Sequence, residues 1–189
     1  HFGHNNIISK FQFRPFADLD EMTEGLIANH NARVGKGDLV FHNGDMFWRT
    51  FPIAKAHEVM DRLNGQHYYI RGNHEELMDK HQSLRERFIW TKDLATIHPP
   101  CPPGTPKHPG IVLCHYAMRV WNRSHTGRYH LYGHSHGELP ENDSLSFDVG
   151  VDCNNYAPVS LDEVNERMEE KIERLRRISD ELPPTDDSD

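Results

Sequence analysis

Four short β-rich runs in this chain each end on residues that bind metals, and that recurrence constrains the fold more than any other feature. Asp38 to His42 runs into Asn43-Gly44-Asp45, and His67 to Ile70 runs into Arg71-Gly72-Asn73-His74. Ile111 to Cys114 delivers His115, and Tyr129 to Tyr132 delivers Gly133-His134-Ser135-His136. Residues placed at the ends of successive strands collect on loops at one sheet edge, where α/β proteins commonly build their sites. A fifth pair, His1 and His4, opens the sequence, and its strand would have to precede His1.

Helical stretches alternate with these runs, which predicts a layered α/β domain. Asp18 to Asn31 carries Leu19, Met22, Leu26 and Ile27 at near-helical spacing. Ile53 to Leu63 reads as a second helix stopped by Asn64-Gly65, and Glu75 to Phe88 as a third. Residues 99–110 are too rich in proline to hold a helix or a central strand and read as a loop. Leu145 to Val151 reads as a further strand. Ser160 and Glu163 form a capping-box pattern that opens a charged helix over 160–178. The Glu170–Arg174 and Glu173–Arg177 spacings suit a solvated helix, with a partner-binding face as the alternative. One domain over 1–182 is expected, with 183–189 as a disordered tail.

Composition narrows the function classes. A net charge of −8 argues against strong, sequence-blind nucleic-acid binding, although bound divalent metals would reverse the local sign. The three cysteines are odd in number and lack CxxC spacing, which argues against a disulfide framework or a Cys-based zinc site. A reducing, cytoplasmic setting is the simpler expectation. No apolar run approaches ~18 residues, so no membrane span is expected, and no signal peptide is visible. Oligomeric state is not legible. Fifteen histidines are many, but position decides their meaning. His30, His57, His81, His98, His108 and His125 lack motif context and read as surface residues.

Imidazole, carboxylate and amide oxygen together suit Mn, Fe or Zn, with Co or Ni also accommodated. A bridging carboxylate holds two such ions about 3.5–4 Å apart. Glycine before Asp45, Asn73 and His134 permits a sharp turn at the strand end.

In order, HFGH, GD, GNHE, a lone His and GHSH resemble the calcineurin-like metallophosphoesterase family, whose pattern is DxH, GD, GNH[DE], H, GHxH. The match runs from His1 to His136 and more loosely to the strand near Asp148, and it is closest to small bacterial and phage-type members. The resemblance implies a four-layer α/β fold, a β-sandwich flanked by helices. It implies that His1 and His136 bind a first metal, that Asp45 bridges, and that Asn73, His115 and His134 bind a second. His74 would face the leaving-group oxygen. His4 joins it as a catalytic candidate, or caps the next helix. Arg71 and Arg119 are candidate phosphate ligands, with surface roles as the alternative. Trp121 either walls the pocket or sits in the core. The implied reaction is in-line attack on phosphorus by a hydroxide bridging two metals, its pKa lowered to about 7.

The expected substrate is a small or nucleotide-derived phosphodiester, with a phosphomonoester as runner-up. The family's first motif opens with an Asp two residues before His1, where this sequence has none. Because the downstream motifs are intact, the expectation is a chain that begins earlier. A true start at His1 would favour a non-catalytic binding scaffold, or chelation by the His1 amine and imidazole.

Overall fold

The computed structural model describes residues 1–11, 14–101, 103–104, 106–140 and 142–181. Strands β1 (Leu39–Asn43), β2 (Gln66–Ile70) and β3 (Thr91–Lys92) form a parallel sheet in that order. Strands β4 (Leu94–Ile97), β5 (Ile111–Cys114), β6 (Tyr129–Tyr132) and β7 (Ser146–Asp148) form a second. Only the β4–β5 pair of that sheet is antiparallel. Helices α1 (Leu19–Arg33), α2 (Ile53–Arg62), α3 (Glu76–Lys80), α4 (Gln82–Arg85) and α5 (Leu161–Glu181) complete the mixed α/β fold, with a π-helical turn at Ile7–Phe11.

Alternation along β2 divides the two cores, as a period of two requires. Tyr69 points into the first cluster, with Met22, Ile27, Val59, Met78 and Leu84 from the helices. Ile70 points the other way, into a second cluster with Ile111, Leu113, Leu131 and Phe147. Two side-chain bonds stitch the strand ends together across the sheets. His115 Nδ1 lies 2.7 Å from the Asn43 carbonyl, and Asn43 Nδ2 donates to the Leu131 carbonyl at 2.9 Å. The C-terminal ends of β1, β5 and β6 therefore meet at one place, which is where the motifs lie.

Helix α1 starts where Asp18 caps it, accepting from the backbone N–H groups of Asp20 and Glu21. The capping box at α5 forms as read: Ser160 Oγ accepts from Glu163 N at 3.2 Å, and Glu163 returns the bond at 2.8 Å.

Four readings need correction. The expected helix from Glu75 to Phe88 is broken at His81, whose backbone is extended. Because β3 lies parallel to β2, the chain must return along β2, and Ile89 N bonds the His67 carbonyl. Five strand residues span roughly 16 Å, whereas 14 helical residues would span about 21 Å and overshoot. The expected strand from Leu145 to Val151 pairs only over Ser146–Asp148. The Asp148 carboxylate accepts the backbone N–H of Gly150 at 2.7 Å, turning the chain into a 3-10 turn at Val151–Cys153. Helix α5 is not simply solvated: Val164 and Met168 are buried in the second core, worth about 2 kcal/mol each. The Glu173–Arg177 pair forms at 3.6 Å, while Arg174 reaches Asp143 at 3.2 Å. Finally, His30 is buried, with Nε2 2.8 Å from the Asn64 carbonyl. The tail read as disordered lies outside the described residues.

Among the described residues, no helix is long and apolar enough to cross a membrane.

Candidate metal centre

His1 enters the site because Phe2 forms a parallel bridge with Phe47, its N–H donating to the Met46 carbonyl at 2.7 Å. That alignment sets His1 Nε2 3.1 Å from Asp45 Oδ2. The same carboxylate oxygen lies 3.3 Å from His115 Nε2. The other, Oδ1, accepts the backbone N–H of His74 at 2.8 Å. One aspartate thus sits between imidazoles delivered by two remote parts of the chain.

Two glycines make room for this approach. A Cβ on Gly44 would lie 2.3 Å from His115 Nδ1, and one on Gly72 would lie 2.1 Å from Asp45 Oδ1. Close approach is what Gly72 supplies, rather than the turn freedom expected of it. The unusual backbone belongs to the candidate ligands themselves: φ is +55° at Asp45, +65° at His134 and +51° at His136. Non-glycine residues in this region cost on the order of 1–3 kcal/mol each and concentrate at functional sites.

The donor atoms suit a cation. His115 Nδ1 faces a carbonyl, which only accepts, so Nδ1 carries the proton. In neutral His115 the Nε2 lone pair then faces two acceptors, Asn73 Oδ1 at 3.0 Å and Asp45 Oδ2 at 3.3 Å. A proton or a metal ion at Nε2 relieves that arrangement. His1 Nε2 is likewise buried without a hydrogen-bond partner, because its contact with Asp45 lies outside hydrogen-bond geometry. Among the described residues, two sets of potential ligand atoms each fall within 4.8 Å: His1, Asp45 and His74, and Asp45, His115 and His134. Both sets contain Asp45. The donor set fits two divalent ions sharing that carboxylate.

The electrostatics agree. Burial alone would raise the Asp45 carboxyl, but the His1 and His115 imidazoles beside it hold it well below the usual carboxylate range. Burial opposes protonation of His115, yet Asp45 and the Asn43 carbonyl outweigh it and raise its pKa. At His1 burial wins and its pKa is lowered.

The remaining candidates occupy distinct places. His134 is exposed, its ring 5.1 Å from His115 and 4.9 Å from Tyr116. The His136 ring is 5.8 Å from His1, and its Nδ1 lies 2.6 Å from Asp152 Oδ2. His74 lies 5.4 Å from His1 and 4.7 Å from Trp48, ring to ring. Its place among the possible ligand atoms makes a metal role geometrically open to it as well. His4 is stacked on Trp48 at 3.7 Å and 3°. Burial, helped by His1 and His74, lowers its pKa to about 4, so it is a neutral imidazole at pH 7. Arg71 is paired with Asp79 at 2.8 Å and with Asp93 at 3.6 Å. Arg119 is exposed on the loop after β5. Trp121 is buried, its Nε1 donating to the Arg128 carbonyl, which makes it a packing residue.

Several residues around the site went unread in the sequence. Trp48 lies against three of the site histidines. Tyr69 and Glu75 bond each other beneath Asp45. Arg14 and Asp152 bond each other behind His136. Glu75, the last residue of GNHE, accepts from Asp45 N, Tyr69 Oη and Gly72 N, a role the motif alone does not state. Arg14 carries no local signal at all, since its partner is 138 residues away.

Comparison with known proteins agrees with this geometry. The family model described as calcineurin-like phosphoesterase matches residues 4–138. The uncharacterized protein MJ1445 of Methanocaldococcus jannaschii is 32% identical over 186 residues, covering 95% of this chain and 93% of that protein. The crystal structure of AQ665 from Aquifex aeolicus, a protein of unknown function, superposes with a TM-score of 0.62 at 21% identity. That alignment covers 88% of this chain and 94% of the other, and supports the fold.

Proposed function

The chain belongs to the calcineurin-like phosphoesterase family, and on that premise we propose that it is a two-metal phosphodiesterase acting on small or nucleotide-derived diesters. The observation that carries the reading is Asp45 Oδ2 standing 3.1 Å from His1 Nε2 and 3.3 Å from His115 Nε2. A single carboxylate oxygen between two imidazoles suits a shared ligand for two cations.

In this reading His1, Asp45 and His136 hold one divalent ion, and Asp45, Asn73, His115 and His134 hold the other. Mn, Fe and Zn suit the donor set best. The ions supply Lewis acidity toward the phosphoryl oxygens and toward water at neutral pH. The chain's own part is positioning and proton handling. His74, held over the Asp45 carboxylate by its backbone N–H, donates a proton to the departing alkoxide. His4, a neutral imidazole braced on Trp48, adds no charge of its own beside His74.

Preference for a diester is drawn from one of the two candidate phosphate ligands, Arg71. Arg71 is already engaged by Asp79 and Asp93. A monoester dianion would need that extra cation more than a diester monoanion does. Hydrolysis of bis-p-nitrophenyl phosphate and p-nitrophenyl phosphate by Mn-loaded protein tests the choice. Faster turnover of the diester is expected. Faster turnover of the monoester would assign a phosphatase instead, and turnover of neither would favour the binding scaffold. Direct attack also predicts inversion at phosphorus with a chiral phosphorothioate diester, and retention would sink it.

A further inference from the structure

Behind His136 lies a buried relay that the ligand assignment does not use. Asp152 Oδ2 lies 2.6 Å from His136 Nδ1. The same carboxylate is gripped by Arg14, Nε to Oδ1 at 2.7 Å and Nη2 to Oδ2 at 2.8 Å. The side chains of Arg14 and Asp152 are 1% and 6% exposed, while that of His136 is 27% exposed. Arg14 Nη1 also rests on Met22 Sδ at 3.5 Å, anchoring it to α1.

A carboxylate is an acceptor only, so the contact requires the proton on His136 Nδ1. A bidentate Arg–carboxylate pair has little freedom to rotate. The imidazole is therefore fixed in plane and tautomer, although it stands on a backbone with φ of +51°.

We propose that Asp152, locked by Arg14, is a positioning residue that holds His136 as its Nδ1–H tautomer and so presents a bare Nε2 to the first metal. The inference rests on the two-metal reading. It adds that one ligand is set by the Val151–Cys153 turn and by a residue preceding α1. Partners of this kind, hydrogen-bonded to the far nitrogen of a ligating histidine, typically contribute 10–100-fold to metal affinity.

The Asn variant at Asp152 is informative. The carboxylate takes three donors on two oxygens, and an amide has one acceptor. Turned toward Arg14, the amide oxygen leaves the amide nitrogen facing His136 and drives the imidazole to the Nε2–H form, which does not ligate.

The test uses the full chain and two readouts. The first is long-range nitrogen-15 NMR of EDTA-treated protein, with the His136 signals assigned by their loss in His136→Gln. Wild type is expected to show a protonated Nδ1 and an unprotonated Nε2, and the reverse tautomer would overturn the proposal. The second is Zn²⁺ titration against a chromophoric chelator. Wild type is expected to take two ions, and Asp152→Asn to lose about 10–100-fold in affinity for one of them and little for the other. Equal affinities in both proteins would also overturn it. If wild type takes no Zn²⁺, the two-metal reading fails instead, and the tautomer alone then judges the link between Asp152 and His136.

Discussion

The carboxylate of Glu75 accepts the backbone N–H of Asp45 at 3.2 Å, and the same oxygen accepts Tyr69 Oη at 2.8 Å and Gly72 N at 2.7 Å. One buried atom thus ties the loop after β1, the middle of β2 and the GNHE loop into a single frame. Asp45 is held in its positive-φ conformation from below while His1 and His115 engage it from above. Glu75→Ala would leave three donors without their acceptor, at roughly 1–3 kcal/mol for each that stays buried. A loss of several kcal/mol in urea unfolding is expected. Glu75→Gln keeps an acceptor oxygen and should cost clearly less. Equal losses in the two variants would show that the frame depends on charge and not on the accepted bonds.

His74 offers a prediction that separates its two possible roles. If it protonates the leaving group, His74→Asn should lower kcat about 10²–10⁴-fold for a diester with an alkyl leaving group. A p-nitrophenolate leaves without much help, so the loss there should be far smaller. Metal content should stay at two ions per chain. Loss of one ion in the variant would instead make His74 the ligand that its place beside His1 and Asp45 permits.

What could be read in the sequence, and what could not, divides along one physical line. Strand ends and the candidate ligands they carry were legible because each is local: an apolar run, a glycine, then a polar side chain. The metal-type set converges for that reason, and β5 and β6 fall where their apolar runs begin and end. Features fixed by distant geometry were not legible. Nothing local at His81 announces that the crossover is too short for a straight helix. Strands β3 and β4 are brief and follow no turn signal. The buried stripe of Val164 and Met168 on α5 was hidden by the charges around it. Arg14 and Asp152 carry no shared motif, since only the folded chain places them together.

Arg33 and Glu163 give a pH prediction away from the metal centre. Arg33 Nη2 lies 2.6 Å from Glu163 Oε1, joining the end of α1 to the start of α5. Hydrogen bonds from Arg33 and from Ser160 lower the Glu163 carboxyl to about 2. Because the folded pKa is depressed, the stabilisation is fully present above the unfolded value of 4.5 and is lost as pH falls from there through about 2. Both side chains are partly solvent-exposed, so screening limits the effect. Urea midpoints for wild type and Glu163→Gln should differ at pH 6 and converge toward pH 2.5. A difference that persists unchanged at the low pH would place the effect of the variant in the capping geometry alone.

Metal removal tests the centre as a whole. Without ions, the neutral His115 Nε2 lone pair faces two oxygens and His1 Nε2 has no partner. Ions that bind only the folded state stabilise it by mass action, by about 2.7 kcal/mol at a hundred times Kd. For a domain of this size each kcal/mol shifts Tm by roughly 2–4 °C. With two such ions, EDTA-treated protein is therefore expected to melt about 10–20 °C below protein loaded with Mn²⁺ or Zn²⁺ at that excess. Asp45→Asn should abolish most of the shift, because the carboxylate serves both ions. His1→Ala should remove only part of it, since the set formed by Asp45, Asn73, His115 and His134 stays whole. If Asp45→Asn keeps the full shift, the ions bind elsewhere. If His1→Ala removes all of it, the two ions do not bind independently, and the centre assembles only when both ligand sets are complete.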